Sequence, residues 1–128
     1  MNLLEIKEFL NATVLTNNIT LDREIKCIVA SDLMSDVLNS SAPAELLLTG
    51  LTNNQTVRTC EIAGISAVVF VRGKKPDKET IKLAEECRIP LLSSELCLFD
   101  ACGILYSRGI KSPEKQNDRP RSNPSRRI

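Results

Sequence analysis

The 128-residue sequence predicts a small α/β domain in which helices cover a mainly parallel sheet, a three-layer-like arrangement built from consecutive βαβ units. Short apolar, β-branched runs alternate with amphipathic segments of about ten residues, as in such units. Turn residues lie where this order needs them, because Gly64 follows a helical segment, Pro76 precedes another and Pro90 begins an apolar run. Aromatic residues make up only 3% of the chain and Trp is missing, so the core must be aliphatic.

The chain begins with apolar residues at helical spacing, Leu3, Ile6 and Leu10, which predict a helix over about residues 2–11. Residues 12–15 then form a candidate short strand. Residues 16–22 are rich in turn formers and lead into the next apolar run. We therefore expect the strands on either side of this turn to pair with each other.

Residues 23–38 are the segment around which the rest of the chain is arranged. Ile25 to Ala30 is β-branched and apolar, which predicts a buried strand. Ser31 and Asp32 are strong N-cap types, and the apolar spacing after them predicts a helix ending near Asn39. A strand that feeds directly into a helix N-terminus is a common ligand site in α/β domains.

The remaining chain has a regular period. The predicted order is a loop over 39–43, a strand over 45–49, a helix over 54–63, a strand over 67–71, a helix over 77–88, a strand over 90–93 and a helix over 96–107.

Polar and small residues follow the predicted strands, and the carboxyl ends of parallel strands share one edge of the sheet. These residues are Ser31, Asp32, Thr49, Gly50, Thr52, Asn53, Asn54, Arg72, Gly73, Lys74, Ser93 and Ser94. Their hydroxyls, amides and two cations suit an anionic ligand such as a nucleotide or a phosphorylated metabolite. The alternative is that strands end in turns and turns are polar anyway.

Several kinds of chemistry are excluded or disfavoured. The chain has no His, which removes Ser/His/Asp and Cys/His catalysis, and Gly73-Lys74 lacks the rest of a P-loop. Asp32 and Asp36 are four apart and could hold Mg²⁺ or share a proton from one helix face, although capping explains them as well. The five cysteines form no CxxC pair, so we expect buried thiols in a reduced cytoplasm, with no metal or other cofactor.

The last predicted helix is apolar most of the way round. Either it is wedged between the sheet and the first helix, or its outer face, with Leu98, Phe99 and Tyr106, is a subunit interface. From Lys111 onward six basic and two acidic residues replace the apolar ones, which predicts a domain over 1–110 and a disordered basic tail over 111–128. The tail lacks aromatics, so nucleic-acid binding is disfavoured, and no apolar run is long enough for a membrane span.

Asp22-Arg23, the strand after them, the run ASDLMSDVL, the loop after Leu46 and the run DKETIKLAEECRIPLLSS together resemble the DRTGG-domain family over about residues 1–109. Where the motif that names the family continues with Thr and two Gly, this chain has Glu24, Ile25 and Lys26, so the close backbone approach of the glycines is lost. The family includes small prokaryotic proteins and is related to the N-terminal domain of HPr kinase/phosphorylase.

The resemblance implies a non-catalytic regulatory or ligand-sensing α/β module that forms a homodimer in the cytoplasm, and it adds Asp22 and Arg23 to the candidate ligand-binding residues. Two other functions stay open. One is a small metal-assisted enzyme that uses Asp32 and Asp36 on a phosphorylated substrate. The other is an adaptor linked to hydrogenase or redox metabolism, since family members accompany iron-only hydrogenase genes, with the basic tail recruiting an acidic partner.

Overall fold

In the computed structural model, which describes residues 1–39 and 43–113, five strands form one mixed sheet. The strands are β1 (Thr13–Val14), β2 (Ile28–Ala30), β3 (Leu46–Thr49), β4 (Ala67–Phe70) and β5 (Leu91–Ser93). Their order is β1-β5-β4-β3-β2. Strands β2 to β5 are parallel, as expected from βαβ units, whereas β1 is antiparallel to β5. The α/β class is confirmed, but the sheet is mixed and not purely parallel.

Helices cover both faces of the sheet. They are α1 (Leu3–Phe9), α2 (Met34–Leu38), α3 (Asn54–Ala63), α4 (Lys78–Glu86) and α5 (Leu98–Ser107). Alternate strand residues point to opposite faces, so Leu46 and Leu48 enter one core with α1 and α5, while Leu47 enters the other with α2, α3 and α4. Both cores are almost entirely aliphatic, with Phe70 the largest of the fully buried side chains.

The expected pairing of the first two strands is wrong, because β1 and β2 lie at opposite edges of the sheet. Thr13 pairs with Ser93 of β5 instead. The second strand is also shorter than expected and begins at Ile28, and the prediction that it is buried is wrong, because β2 is an edge strand and is partly exposed. Ahead of it, the N–H of Ile25 donates to the carbonyl of Met1 (2.7 Å), so this stretch is held by the N-terminus and not by the turn before it.

Helix ends follow the local sequence at most positions. Asn2 forms a capping box with Glu5, and the Asp77 side chain accepts a hydrogen bond from the N–H of Thr80, as expected for a cap. Gly64 ends α3 in the left-handed conformation, with φ of 74°, which confirms its predicted role.

The described chain continues along the edge strand β2. Lys111 forms a parallel bridge with Cys27, and its carbonyl accepts from the N–H of Ile28 at 3.0 Å. The boundary expected after Ile110 therefore cuts through a contact of the sheet, and the expected disorder of 114–128 lies outside the described residues. Within 1–39 and 43–113, no helix combines the length and the apolar character that a membrane crossing requires.

Candidate functional site

Asp32 was expected to cap the following helix, and this is wrong. Helix α2 begins at Met34, its N-cap residue is Leu33, and no side chain in the described part of the protein caps it. Asp32 reaches across to the end of β3 instead. Its Oδ1 accepts hydrogen bonds from the N–H of Gly50 (2.7 Å) and from the hydroxyl of Thr49 (2.9 Å). The carboxylate thus ties the loop after β2 to the neighbouring strand.

These contacts keep the Asp32 carboxylate charged. The hydrogen bond from the Gly50 N–H lowers the pKa of Asp32 below its usual value, and the Thr49 hydroxyl and the positive charges of Arg72 and Lys74 act in the same direction. Partial burial opposes the change but is outweighed. At neutral pH the site therefore contains an anion close to two cations.

Arg72 lies over Gly50 from the next strand. A Cβ atom on Gly50 would be 3.2 Å from Cζ of Arg72 and closer still to Nη2, so the guanidinium occupies the space that a larger residue would fill. Asp32 contacts the same glycine through its N–H, yet Asp32 and Arg72 form no ion pair in the described part of the chain. Gly50 thus lies between a negative and a positive side chain that form no salt bridge with each other in the described residues.

The backbone that carries Arg72 is held in an unusual conformation. Arg72 has φ of 59° and Gly73 has φ of 66°, and the N–H of Lys74 closes the turn onto the carbonyl of Val71 (3.2 Å). A left-handed conformation is uncommon for a residue with a side chain. The N–H of Arg72 donates to the carbonyl of Leu96 (2.8 Å), which holds the turn in this state.

Two further hydrogen bonds close the sheet edge between β4 and β5. The chain after β4 leads to α4 on one face and the chain after β5 leads to α5 on the other, a geometry that commonly opens a crevice. Here the N–H of Gly73 donates to the carbonyl of Ser94 (2.8 Å), and the hydroxyl of Ser93 donates to the carbonyl of Lys74 (2.9 Å). The accessible part of the edge is therefore above β3 and β4.

Several residues predicted for the site instead make hydrogen bonds within the fold. Asn53 caps α3, and the Asn54 side chain contacts the hydroxyl of Thr80 on α4. Ser94 is buried, and its hydroxyl donates to the carbonyl of Leu10 (2.7 Å). Thr52 is half-buried beside the accessible edge.

Asp22 and Arg23, the two residues kept from the family motif, are not brought to this edge. Arg23 donates through Nη1 to the carbonyl of Ser66 (2.8 Å), directly before β4 begins, so it lies at the amino end of the sheet. Desolvation by burial lowers the pKa of Arg23, with a smaller effect from Arg88. Asp22 is exposed, and its backbone N–H donates to the hydroxyl oxygen of Thr20 (3.0 Å).

Glu95 is a site residue that sequence reasoning missed. Its carboxylate lies against Gly73, where a Cβ atom would be 2.6 Å from Oε1. Glu95 follows Ser93 and Ser94 directly, so its position after a strand was a usable signal. The site therefore has carboxylates of Asp32 and Glu95 on either side of the Arg72 turn.

Asp32 and Asp36 do not share a helix face, contrary to expectation. Asp32 precedes α2, whereas Asp36 lies within it and lines a separate groove. Within residues 1–39 and 43–113, no three Asp, Glu, Cys or His side chains come together as metal ligands do. Burial raises the pKa of the Cys60 thiol to about 12 and also raises that of Cys102. The expectation of buried thiols is wrong for Cys97, which is exposed, and of the five only Cys60 is fully buried.

The groove that Asp36 lines runs between β2 and α5 and has a volume of about 830 Å³. On its α5 side Phe99 is 83% exposed and Tyr106 is 77% exposed. Only Ala101 and Leu105 of this helix are fully buried, while Leu98 packs partly against the core. The helix is thus covered on one side, and its aromatic side is open in the described structure.

Comparison with known proteins identifies one family. The model of the DRTGG domain matches residues 5–105 of the chain, which includes all five strands and most of the helical residues. Domains of this kind are in general regulatory or ligand-sensing. A search of curated proteins finds no matching relative.

Proposed function

Because the chain belongs to the DRTGG-domain family, we propose that it is a non-catalytic regulatory or ligand-sensing domain that binds an anionic ligand at the carboxyl edge of the sheet. The ligand is a nucleotide or a phosphorylated metabolite, held above β3 and β4. Arg72 and Lys74 supply the positive charge there. The state of the bound site is communicated through a homodimer that uses α5.

The placement of Arg72 is the observation that carries this proposal. A left-handed conformation favours Gly or Asn, so an arginine there is held at a cost in stability. Its guanidinium makes no hydrogen bond or ion pair within the described residues. A cation that is positioned by its backbone, with all of its donors available, is suited to an incoming phosphate.

A thermal-shift screen over nucleotides and phosphorylated metabolites, with and without Mg²⁺, tests this proposal. A ligand that binds only the folded protein must raise the melting temperature, because at a hundredfold excess over Kd it adds about 2.7 kcal/mol to the free energy of unfolding. Arg72→Gly should abolish the shift and still fold, since Gly adopts the left-handed conformation freely.

Arg88→Gly is the matched control for this screen. Arg88 also has a positive φ, of 60°, but it lies in the turn between α4 and β5, so the variant should keep the full ligand shift. Equal shifts in both variants, or no shift with any compound, would contradict the proposed binding site.

We also propose that the open side of α5 forms the homodimer interface. Phe99 and Tyr106 are large aromatics, which bury about 150–250 Å² each when covered. Two such side chains supply close to half of the roughly 800 Å² per partner that a stable interface buries. The neighbouring groove along β2 provides a concave surface into which a side chain of the second copy can pack.

Sedimentation of Phe99→Asp checks the interface. The parent protein should sediment as a dimer at tens of micromolar, and the variant as a folded monomer, because a buried unpaired carboxylate is strongly unfavourable. Ile62→Asp is the control, since Ile62 is 75% exposed on α3, on the other face of the sheet. A monomeric parent, or a dimer that dissociates with Ile62→Asp and not with Phe99→Asp, would contradict the proposal that α5 forms the interface.

The metal-assisted enzyme is the less favoured alternative, because Asp32 binds the end of β3 while Asp36 lines the α5 groove. The Mg²⁺ arm of the screen tests it. The adaptor function depends on the basic tail, most of which lies outside the described residues.

A further inference from the structure

We infer that the ligand is a phosphorylated sugar or polyol, which presents its phosphate to Arg72 and a hydroxyl group to Asp32. This inference rests on the proposed anion-binding function and specifies what else the ligand must carry. It follows from the hydrogen-bonding capacity that remains on each side of Gly50.

Asp32 has one oxygen that is fully used and one that is not. Both of its donors, Gly50 and Thr49, bond to Oδ1, and Oδ2 has no hydrogen bond within the described residues. An ionised carboxylate can only accept hydrogen bonds. A group that occupies the space beside Oδ2 must therefore be a donor, such as a hydroxyl.

Arg72 has the opposite requirement. Its guanidinium carries five N–H donors and no acceptor, and Lys74 adds a second cation nearby. Two cations suit a dianionic phosphate better than a single carboxylate. Since Arg72 and Asp32 contact the same glycine without pairing, a ligand above Gly50 can reach both.

The two carboxylates disfavour a bare anion. Asp32 and Glu95 lie on either side of the Arg72 turn, and each repels an incoming negative charge. A hydroxyl-bearing phosphate offsets this repulsion by donating to a carboxylate, whereas sulfate carries no hydrogen-bond donor. The arrangement thus selects for a donor and an anion in one molecule.

Calorimetric titrations with sulfate, ribose 5-phosphate and glycine at fixed ionic strength provide the test. The parent should bind ribose 5-phosphate at least about tenfold more tightly than sulfate, the difference expected from one hydrogen bond to a charged group. Glycine is included because its ammonium and carboxylate could also bridge Asp32 and Arg72.

Asp32→Asn is the decisive variant, because Asn keeps an oxygen for Gly50 and Thr49 while replacing the free acceptor with a donor. This variant should weaken the binding of ribose 5-phosphate by about tenfold. Its affinity for sulfate should stay the same or increase, since a repelling charge is removed. Gly50→Ala should weaken the binding of both anions, because its methyl group displaces the Arg72 guanidinium.

The outcomes separate this inference from the function on which it rests. Three results would contradict the proposed ligand class and leave the anion-binding function in place. They are equal affinity of the parent for sulfate and ribose 5-phosphate, equal effects of Asp32→Asn on the binding of both, and tighter binding of glycine than of ribose 5-phosphate. If no anion binds and Arg72→Gly changes nothing, the proposed function fails and the inference fails with it.

Discussion

Asp32 stabilises the end of β3, and this changes which substitutions it should tolerate. A cap can be formed by Asp, Asn or Ser, because each side chain reaches the first N–H groups of its own helix. The contacts of Asp32 lie on another strand, at Gly50 and Thr49, and they need the longer side chain. The residue type alone does not distinguish these two roles.

We expect Asp32→Ala and Asp32→Ser each to lower the free energy of unfolding by about 1–2 kcal/mol, because both lose hydrogen bonds to a charged group at a partly exposed site. Asp32→Asn should cost less than half as much, since its oxygen keeps both donors. Urea denaturation measures the difference. A Ser variant as stable as the Asn variant would indicate instead that Asp32 acts as a helix cap.

The pH dependence of the Asn variant follows from the lowered pKa of Asp32. A carboxyl group with a lower pKa in the folded than in the unfolded state stabilises the protein fully above the ordinary aspartate pKa of about 3.9. This contribution is lost as the pH falls through the folded pKa. The stability difference between parent and Asp32→Asn should therefore be largest above about pH 4 and shrink towards acid.

Helix α3 shows how local sequence determines an element. Its bounds, Asn54–Ala63, coincide with the predicted range, because Asn53 caps its start and Gly64 ends it. Helix α2 lacks both signals. Leu33 is its N-cap residue, and among residues 1–39 and 43–113 no side chain caps it, so it is only five residues long and starts later than predicted.

Gly64→Ala should lower the free energy of unfolding by about 1 kcal/mol, because Ala is strained at the φ of 74° that Gly64 adopts. No neighbouring atom of the described residues lies within 4 Å of the added Cβ, so the loss of stability reports backbone conformation and not a clash. Gly64→Asn is the control and should cost less, since Asn tolerates this conformation. Equal losses in thermal unfolding would argue against this cause.

At the scale of the whole molecule, the two edge strands of the sheet differ in what lies on their outer sides. Within residues 1–39 and 43–113, edge strand β1 pairs only with β5, whereas Lys111 lies along the outer side of β2. An exposed strand edge is a site of unwanted pairing, and such coverage limits it. The first residue of the expected tail thus belongs to the folded domain.

Two shortened chains test where the domain ends. A chain ending at Pro113 should melt within about a degree of the full protein, because charged, Pro-containing ends contribute little to folding. A chain ending at Ile110 should melt lower, since it loses the bond from Ile28 to the Lys111 carbonyl. A drop of several degrees in the longer chain would show that residues 114–128 pack on the body.

The sequence by itself determined the class of fold, the identity of the family and most elements whose ends carry their own signals, such as α3 and the cap at Asp77. These features depend on periodicity and on contacts within a few residues, which can be seen in one stretch of chain. The polar edge was also predictable, because parallel strands end on one side of a sheet.

Only the tertiary structure decided which polar residues remain available at that edge. Ser94, which binds the Leu10 carbonyl, and Arg23, at the opposite end of the sheet, are removed from it by contacts distant in sequence. Asp32 and Arg72 meet at Gly50 although they lie forty residues apart. Contacts of this kind depend on the order of the strands in the sheet. Hydrophobic periodicity does not encode that order, because every strand of a buried sheet has the same apolar pattern.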